Sequence, residues 1–562
     1  MPSLKDYSTT NIQVENVDEA DITKTDGDYI YSISENNVII TNVIDPKNVK
    51  IAATIKSSDN GVPEDLIVYG DKLAVISSQN SISSYYSYNS KNNTIVEIYD
   101  IQNREKPKLK KSYKLYEPYY TSRCIGGRLY VISAGDLRRE NDEIVTYYEE
   151  NKKKKNIDFE NIKYLTDVES KNQTIMSMVD LDNLEKDVNI GSYLIDISNA
   201  YVSENSIYLL NQKYEGSGSN IPISTLFGLK GAIGPFVYDY DYSRSGYHTE
   251  IYKFNFLDDG SIEYICKNKV KGKTINQYSV DEYNKNLRIA VYDSDGSRVV
   301  VLDENLKEIG KTSDLAKGEN MYSSRFIGNK AYLVTYKTVD PLYVIDLSDP
   351  SDPEVLGELK IPGYSTYLHP YDENHIIGIG METKETVNRN SSGKVISTTS
   401  KIVGMKMALF DVSDVENPVQ ISSTVIGDSR VTSSILTNPK ALLFSKEKEL
   451  IAIPVNNYAE DFEFSNDAST YSSMISSYTN YSKAYISEGY LVYKININEG
   501  FALKGMITHD MTKSNSKYSS YYGATKLLRG LYIDNNLFTV SEEMIKVNDL
   551  QTLDLISELK IK

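Results

Sequence analysis

The chain contains no tryptophan among its 562 residues. Repeats built on a Trp-Asp pair, sialidase-type Asp-boxes and the repeats of quinone-dependent dehydrogenases all rely on Trp, so none is present in standard form. Paired glycines of the kelch type are equally scarce, with only Gly126-Gly127 of that form. Cysteine occurs twice, as Cys124 and Cys266. Two thiols cannot make a disulfide framework, which leaves one bridge or two small buried side chains. The four histidines, His248, His369, His375 and His509, show no metal-site spacing with cysteine or glutamate. There is no G-x-S-x-G elbow, Walker-type loop or dinucleotide loop. No run of 18 apolar residues exists, so no membrane-spanning helix is expected. Basic charge is outweighed, with a net charge of −17 and a pI near 5.0. That balance argues against nucleic acid and against an anionic membrane surface as the main partner. The one basic run, Lys152–Lys155, sits among acidic residues and reads as a solvated loop.

What is present is a repeat. Residues 326–361 read as a tight Gly328-Asn329 turn, the apolar run Lys330–Tyr336, a second run Leu342–Leu347, a Ser-Asp-Pro turn, and a last run Val355–Ile361. Alternating apolar runs punctuated by Gly, Asn, Asp and Pro are the signature of antiparallel strands. A four-stranded meander of about 40 residues is the size of one propeller blade. The hairpin joining strands A and B of this unit recurs nine times: at 24–34, 68–77, 124–133, 202–211, 281–292, 326–336, 371–380, 444–455 and 532–540. The C–D hairpin recurs as well, as a strand ending in Asp or Asn followed by a short polar turn. An Asp there accepts backbone N–H groups in an Asx turn. The expected fold is all-β: a single β-propeller over 1–562 with nine blades, eight being the alternative if two units merge. Strand exchange at the ring closure is not evident, although Asn11–Val14 could pair with the last blade. Apolar residues at 40% and charged residues at 25% suit a soluble chain.

The stretch Tyr7–Ser34, YSTTNIQVENVDEADITKTDGDYIYSIS, resembles the signature of a family of bacterial secreted proteins with a β-propeller domain distantly related to WD-type repeats. The resemblance implies a propeller and an extracytoplasmic location, either secreted or at the cell surface. It implies no reaction. Family members usually carry a leader or anchor, and none is recognisable in MPSLKDYSTTN.

Five long insertions fall between strands B and C: 79–93, 135–172, 214–247, 383–400 and 456–487. A sixth polar stretch, 512–522, joins strand D to the next A. Strands alternate in direction, so B–C and D–A connections share one face of the disc, and that face is expected to be the working one. Its loops are rich in Tyr and Ser: Tyr85, Tyr86 and Tyr88; Tyr238, Tyr240 and Tyr242; Tyr471, Tyr478 and Tyr481; Tyr521 and Tyr522. Tyr gives a large amphipathic contact at low entropic cost, and Ser an adaptable hydrogen bond. The same composition also suits soluble loops that pack on one another.

The acidic residues Asp18, Glu19 and Asp21 open the first blade. They present either a set of oxygens for calcium, the one cofactor entertained, or turn chemistry and ring closure. Asp239, Asp241, Ser243 and Glu250 have partial EF-type spacing, but Arg244 stands where Gly is needed. Asp180, Asp182 and Asp187 read as solvated turn residues. The functional expectation is a monomeric, non-enzymatic scaffold that binds a protein or glycan through the decorated face. A carboxylate-dependent extracellular hydrolase or lyase and a structural envelope component are the alternatives.

Overall fold

The computed structural model describes residues 5–81, 91–137, 147–165, 170–214, 246–336, 340–458, 487–509 and 526–562, with short pieces at 139–140, 143–144 and 168. Nine of their sheets are blades, each with four antiparallel strands A to D; those of blades 2 and 3 carry two extra strands each. The blades span 23–56, 62–115, 119–193, 199–271, 280–311, 320–361, 364–426, 443–508 and 527–560.

The packing settles the count between nine and eight. Nine apolar clusters lie one at each blade junction. Tyr31 and Val38 of blade 1 pack with Leu66 and Leu73 of blade 2, and the pattern continues through blades 2–3, 3–4, 4–5, 5–6, 6–7, 7–8 and 8–9. The ninth cluster joins Phe538 and Val547 of blade 9 to Ile30 and Ile39 of blade 1 and closes the ring. Each fully buried aliphatic or aromatic side chain of this kind contributes about 1.5–3 kcal/mol. The alternation of strands B and C places one set of side chains in the junction on each side of a blade. No blade therefore buries its faces without both neighbours.

The C–D turns are built as their aspartates imply. Asp346 accepts the N–H of Ser348 at 3.0 Å, and Asp411 that of Ser413 at 2.9 Å. The residue after the Asp is buried and donates its N–H to the A–B turn beside it, as in Ile101 to Asp71, Leu347 to Asn329 and Val412 to Asn374. This link ties the two turns of one blade edge together and keeps that face of the disc short.

Two of the expected B–C loops are regular structure instead. Within 135–172, strands Tyr147–Glu150 and Lys153–Asn156 fold over the rim and add to the outer strand of blade 2. Ile162–Lys163 runs parallel to the outer strand of blade 3. An outer strand presents unpaired backbone groups, and covering it removes that liability. The basic run enters this cover as a turn and strand, with Lys152, Lys153 and Lys154 still exposed to solvent. Lys155 pairs with Glu150 and Asp187, both at 2.7 Å, and Lys111 forms a buried ion pair with Glu150. The insertion at 383–400 continues strands B and C of blade 7, His375–Arg389 and Val395–Asp411, into a two-stranded arm.

The N-terminal segment crosses the central channel before blade 1 begins. Tyr7 bridges Ile533 on the inner strand of blade 9. Ser8 donates to the Tyr532 carbonyl at 3.0 Å and accepts from the Tyr532 N–H at 2.9 Å. The pairing with the last blade thus lies at Tyr7–Ser8, earlier than the Asn11–Val14 stretch expected for it. Asn11 instead reaches blades 7 and 8, donating to Tyr367 and to the Pro439 carbonyl. Gln13 donates to the carbonyls of Gln277 and Val280 at blade 5. Asp18–Glu19 pairs with the inner strand of blade 3, and Asp21 with Leu66 of blade 2. Gly27, in the turn between the first two strands of blade 1, has φ +87°. A Cβ at that position would sit 2.9 Å from the Tyr7 ring, so glycine is required twice over.

Asp21 is locked to Arg529 by two hydrogen bonds, 2.9 Å from Nε and 2.6 Å from Nη2, with both side chains buried. Asp21→Asn leaves that guanidinium uncompensated and is expected to cost about 3–5 kcal/mol in urea unfolding. The double change Asp21→Leu with Arg529→Met should recover a large part of the loss. Equal losses in the single and double variants would show that the pair itself is not what matters.

Candidate functional site

Two regions answer to the expected sites: the face carrying the B–C insertions, and the channel that holds the acidic cluster. All eleven tyrosines singled out by composition, Tyr85, Tyr86, Tyr88, Tyr238, Tyr240, Tyr242, Tyr471, Tyr478, Tyr481, Tyr521 and Tyr522, lie outside the described residues. So do Asp239, Asp241 and Ser243. Glu250, the last of that spacing, lies within a strand and pairs with Lys213 at 2.9 Å.

The described strand ends at the roots of the insertions carry further aromatic residues that composition did not mark. Tyr322, Tyr336 and Tyr364 form a cluster at the junction of blades 6 and 7, with ring centroids 5.6, 4.6 and 4.9 Å apart. The Tyr336 hydroxyl donates to Ser400 on the blade 7 arm at 2.7 Å. Tyr214 and Tyr247 face each other at 5.1 Å where the blade 4 insertion leaves the ring. Each of these residues sits at the end of a B strand or the start of an A or C strand. That position puts all of them on the decorated face.

In the channel, the three acids proposed as oxygen ligands are each taken by a cation of the chain. Asp18 pairs with Lys24 at 2.7 Å, and Asp21 with Arg529. Glu19 lies 3.5 Å from Arg123 and 3.4 Å from Lys440, and also accepts from the Gln13 N–H and from Gln277. Among the described residues no group of three or more His, Cys, Asp or Glu side chains gathers as metal ligands do. The arrangement is that of a charged plug, and the turn-and-closure reading of these acids accounts for every one of their contacts.

Burial pushes the Glu19 carboxyl up, but Arg123, Lys440, the Gln13 N–H and Gln277 outweigh it and hold it below its ordinary 4.5. Asp65, on the blade 2 inner strand, goes the other way. Burial raises it, and its oxygen accepts from the Tyr119 hydroxyl at 2.7 Å. His369 and His509 are both pushed down to about 3 by burial and stay neutral. Both cysteines are free thiols, and burial lifts Cys124 to about 12, where it is inert. Cys124 is on an inner strand and Cys266 on an outer one, which keeps them apart.

Sequence reasoning missed the cations. Arg123 and Arg325 occupy the same register of their inner strands, opposite Tyr130 and Tyr332. The shared pattern was legible as Ser-Arg followed by two apolar or sulfur residues, in SRCI and SRFI.

The depressed Glu19 carboxyl stabilises the fold above about pH 4.5, and that contribution fades as pH falls through its folded value. Glu19→Gln is therefore expected to lower stability near pH 7 and to flatten the acid limb of a stability–pH profile between roughly pH 5 and 2. An unchanged acid limb would remove Glu19 from the hub's electrostatics.

Comparison with known proteins agrees with this architecture. A family model described as a beta propeller domain matches residues 7–553. An uncharacterized protein of Methanocaldococcus jannaschii is 29% identical over 81% of this chain and 75% of its own length. One from Archaeoglobus fulgidus is 27% identical over 99% of this chain and 85% of its own length. Both relatives are archaeal, which corrects the expectation of a family confined to bacteria. Among solved structures, the C-terminal WD40 domain of Sif2 is similar at 8% identity and a TM-score of 0.36, covering 78% of this chain and 93% of that chain. Apo AztD from Citrobacter koseri is similar at 11% identity and a TM-score of 0.34, covering 97% of this chain and 94% of that chain. Nothing further rests on likeness at that level. With the match running through all nine blades, the chain belongs to the beta propeller domain family.

Proposed function

We propose that the protein is a non-enzymatic binding scaffold, secreted or displayed at the cell surface, that engages a protein or glycan through the face bearing the B–C insertions. The observation that carries this reading is the asymmetry of the disc. The A–B turns are tight and the C–D turns short and internally bonded, while the insertions rooted at 81, 214, 389 and 458 all leave from the ends of B strands. Loops on a rigid ring are where such proteins place variable contacts. The Tyr322, Tyr336 and Tyr364 cluster adds an aromatic surface to the same face. The channel supports the non-enzymatic part of the reading. Asp18, Glu19 and Asp21 are each engaged by Lys24, Arg123, Lys440 or Arg529, which leaves these three without a free carboxylate for acid–base work.

Trimming 82–90 and 459–486 to short Gly-Ser links should leave the melting midpoint within about 2 °C, because loop length costs little in closure entropy. The trimmed protein should lose capture of its ligand from envelope fractions and on a glycan array. Undiminished capture by a trimmed, folded protein would overturn the proposal.

A further inference from the structure

In the channel, Lys24, Arg123, Lys440 and Arg529 meet Asp18, Glu19 and Asp21. Among the described residues, no carboxylate pairs with Arg325, on the inner strand of blade 6. It is 8% exposed, its Nη1 is fully enclosed, and among the described residues Nη1 has no hydrogen-bond partner. Its guanidinium lies over the Tyr278 ring, 4.9 Å from the centroid. In a chain of net charge −17, an enclosed arginine without a carboxylate is an anomaly with a chemical meaning.

The groups around it cannot supply the missing charge. Burial raises the hydroxyls of Tyr278 and Tyr367 above their ordinary value, so both are neutral. His369 is neutral too, held down by burial and by the nearby charge of Arg325. The Tyr367 hydroxyl accepts from Asn11 at 3.0 Å and lies 3.1 Å from His369 Nδ1, so the plug, the tyrosine and the imidazole are joined in one polar chain beside Arg325.

We infer that the channel wall at Arg325 binds a small oxyanion, taken by the guanidinium in the setting of Tyr278, Tyr367 and His369. Its chemistry is that of a carboxylate or an inorganic tetrahedral oxyanion, because a guanidinium fork matches two oxygens of one group. Asn11 connects this site to the N-terminal plug, since it donates to the tyrosine that lies against the imidazole. An anion there would give Arg325 Nη1 an acceptor, independently of what binds at the decorated face.

The probes are selenate and acetate, each exchanged for chloride at constant ionic strength on the full chain. With either one, the wild-type melting midpoint is expected to rise by several degrees. Arg325→Met is expected to melt in chloride at or above the wild-type midpoint and to show no rise with either probe. Arg325→Lys keeps the charge but loses the fork and should retain only part of the rise. A rise with selenate alone identifies an inorganic ligand, and a rise with acetate alone a carboxylate. Crystals soaked in selenate should show an anomalous selenium peak within hydrogen-bond distance of Arg325. No rise in wild type with either probe, or an equal rise in Arg325→Met, would overturn the inference. So would a strongly destabilised Arg325→Met in chloride, since that would show the guanidinium to be satisfied by the protein itself.

Discussion

The ring depends on what fills its centre. An inner strand pairs on one side with strand B and leaves its other edge facing the channel. Nine such edges line the central channel. The segment 5–22 crosses the channel and pairs in turn with blades 9, 3 and 2. Its side chains reach blades 8, 7, 5 and 4 as well. The charges follow from the same constraint. Backbone edges and polar side chains in an enclosed channel need partners, and acids on the plug meet cations on the walls. Asp21 with Arg529 ties the plug to the last blade just before the chain enters the first. The ring is thus closed by apolar packing between blades 9 and 1 and by this polar axle, without exchange of a strand.

This explains the N-terminal signature residue by residue. Asn11, Gln13, Glu19, Asp21 and Lys24 each hold a different part of the hub, Val17 and Ala20 are buried against blades, and Gly27 makes the turn under Tyr7. Asn11, Gln13, Asn16, Glu19 and Asp21 each have partners more than 100 positions away, so a substitution at any of them breaks a contact across the ring. That stretch is also the one whose resemblance to a family was legible from sequence. Its specificity is structural, and it is silent about ligand.

The repeating unit was readable because its signals are local. Gly328-Asn329 marks a turn, Lys330–Tyr336 alternates, and Asp346 caps a C–D turn within three residues. The hub was not readable, because its contacts join residues hundreds of positions apart. Asn11 meets Pro439, and Asp21 meets Arg529. From sequence alone, Asp18, Glu19 and Asp21 do not show that Lys24, Arg123, Lys440 and Arg529 face them. The rim cover failed for a related reason. Nothing in Tyr147–Asn156 says that its partner is the outer strand of the preceding blade. Periodicity gives strands, but it does not give the edge they will choose.

The division of labour follows from the fold. One face is short and internally bonded, the interior is occupied, and the other face carries the variation. A rigid ring of nine mutually dependent blades is a stage on which loops can change without disturbing the core. The central claim is that residues 5–22 belong to that core and not to a terminal tail. Hydrogen exchange of the peptide covering 5–25 in the intact protein tests it most directly. Protection comparable to that of the inner strands 119–125 and 527–533 is the predicted result. Exchange within seconds, while those strands stay protected, would contradict the account.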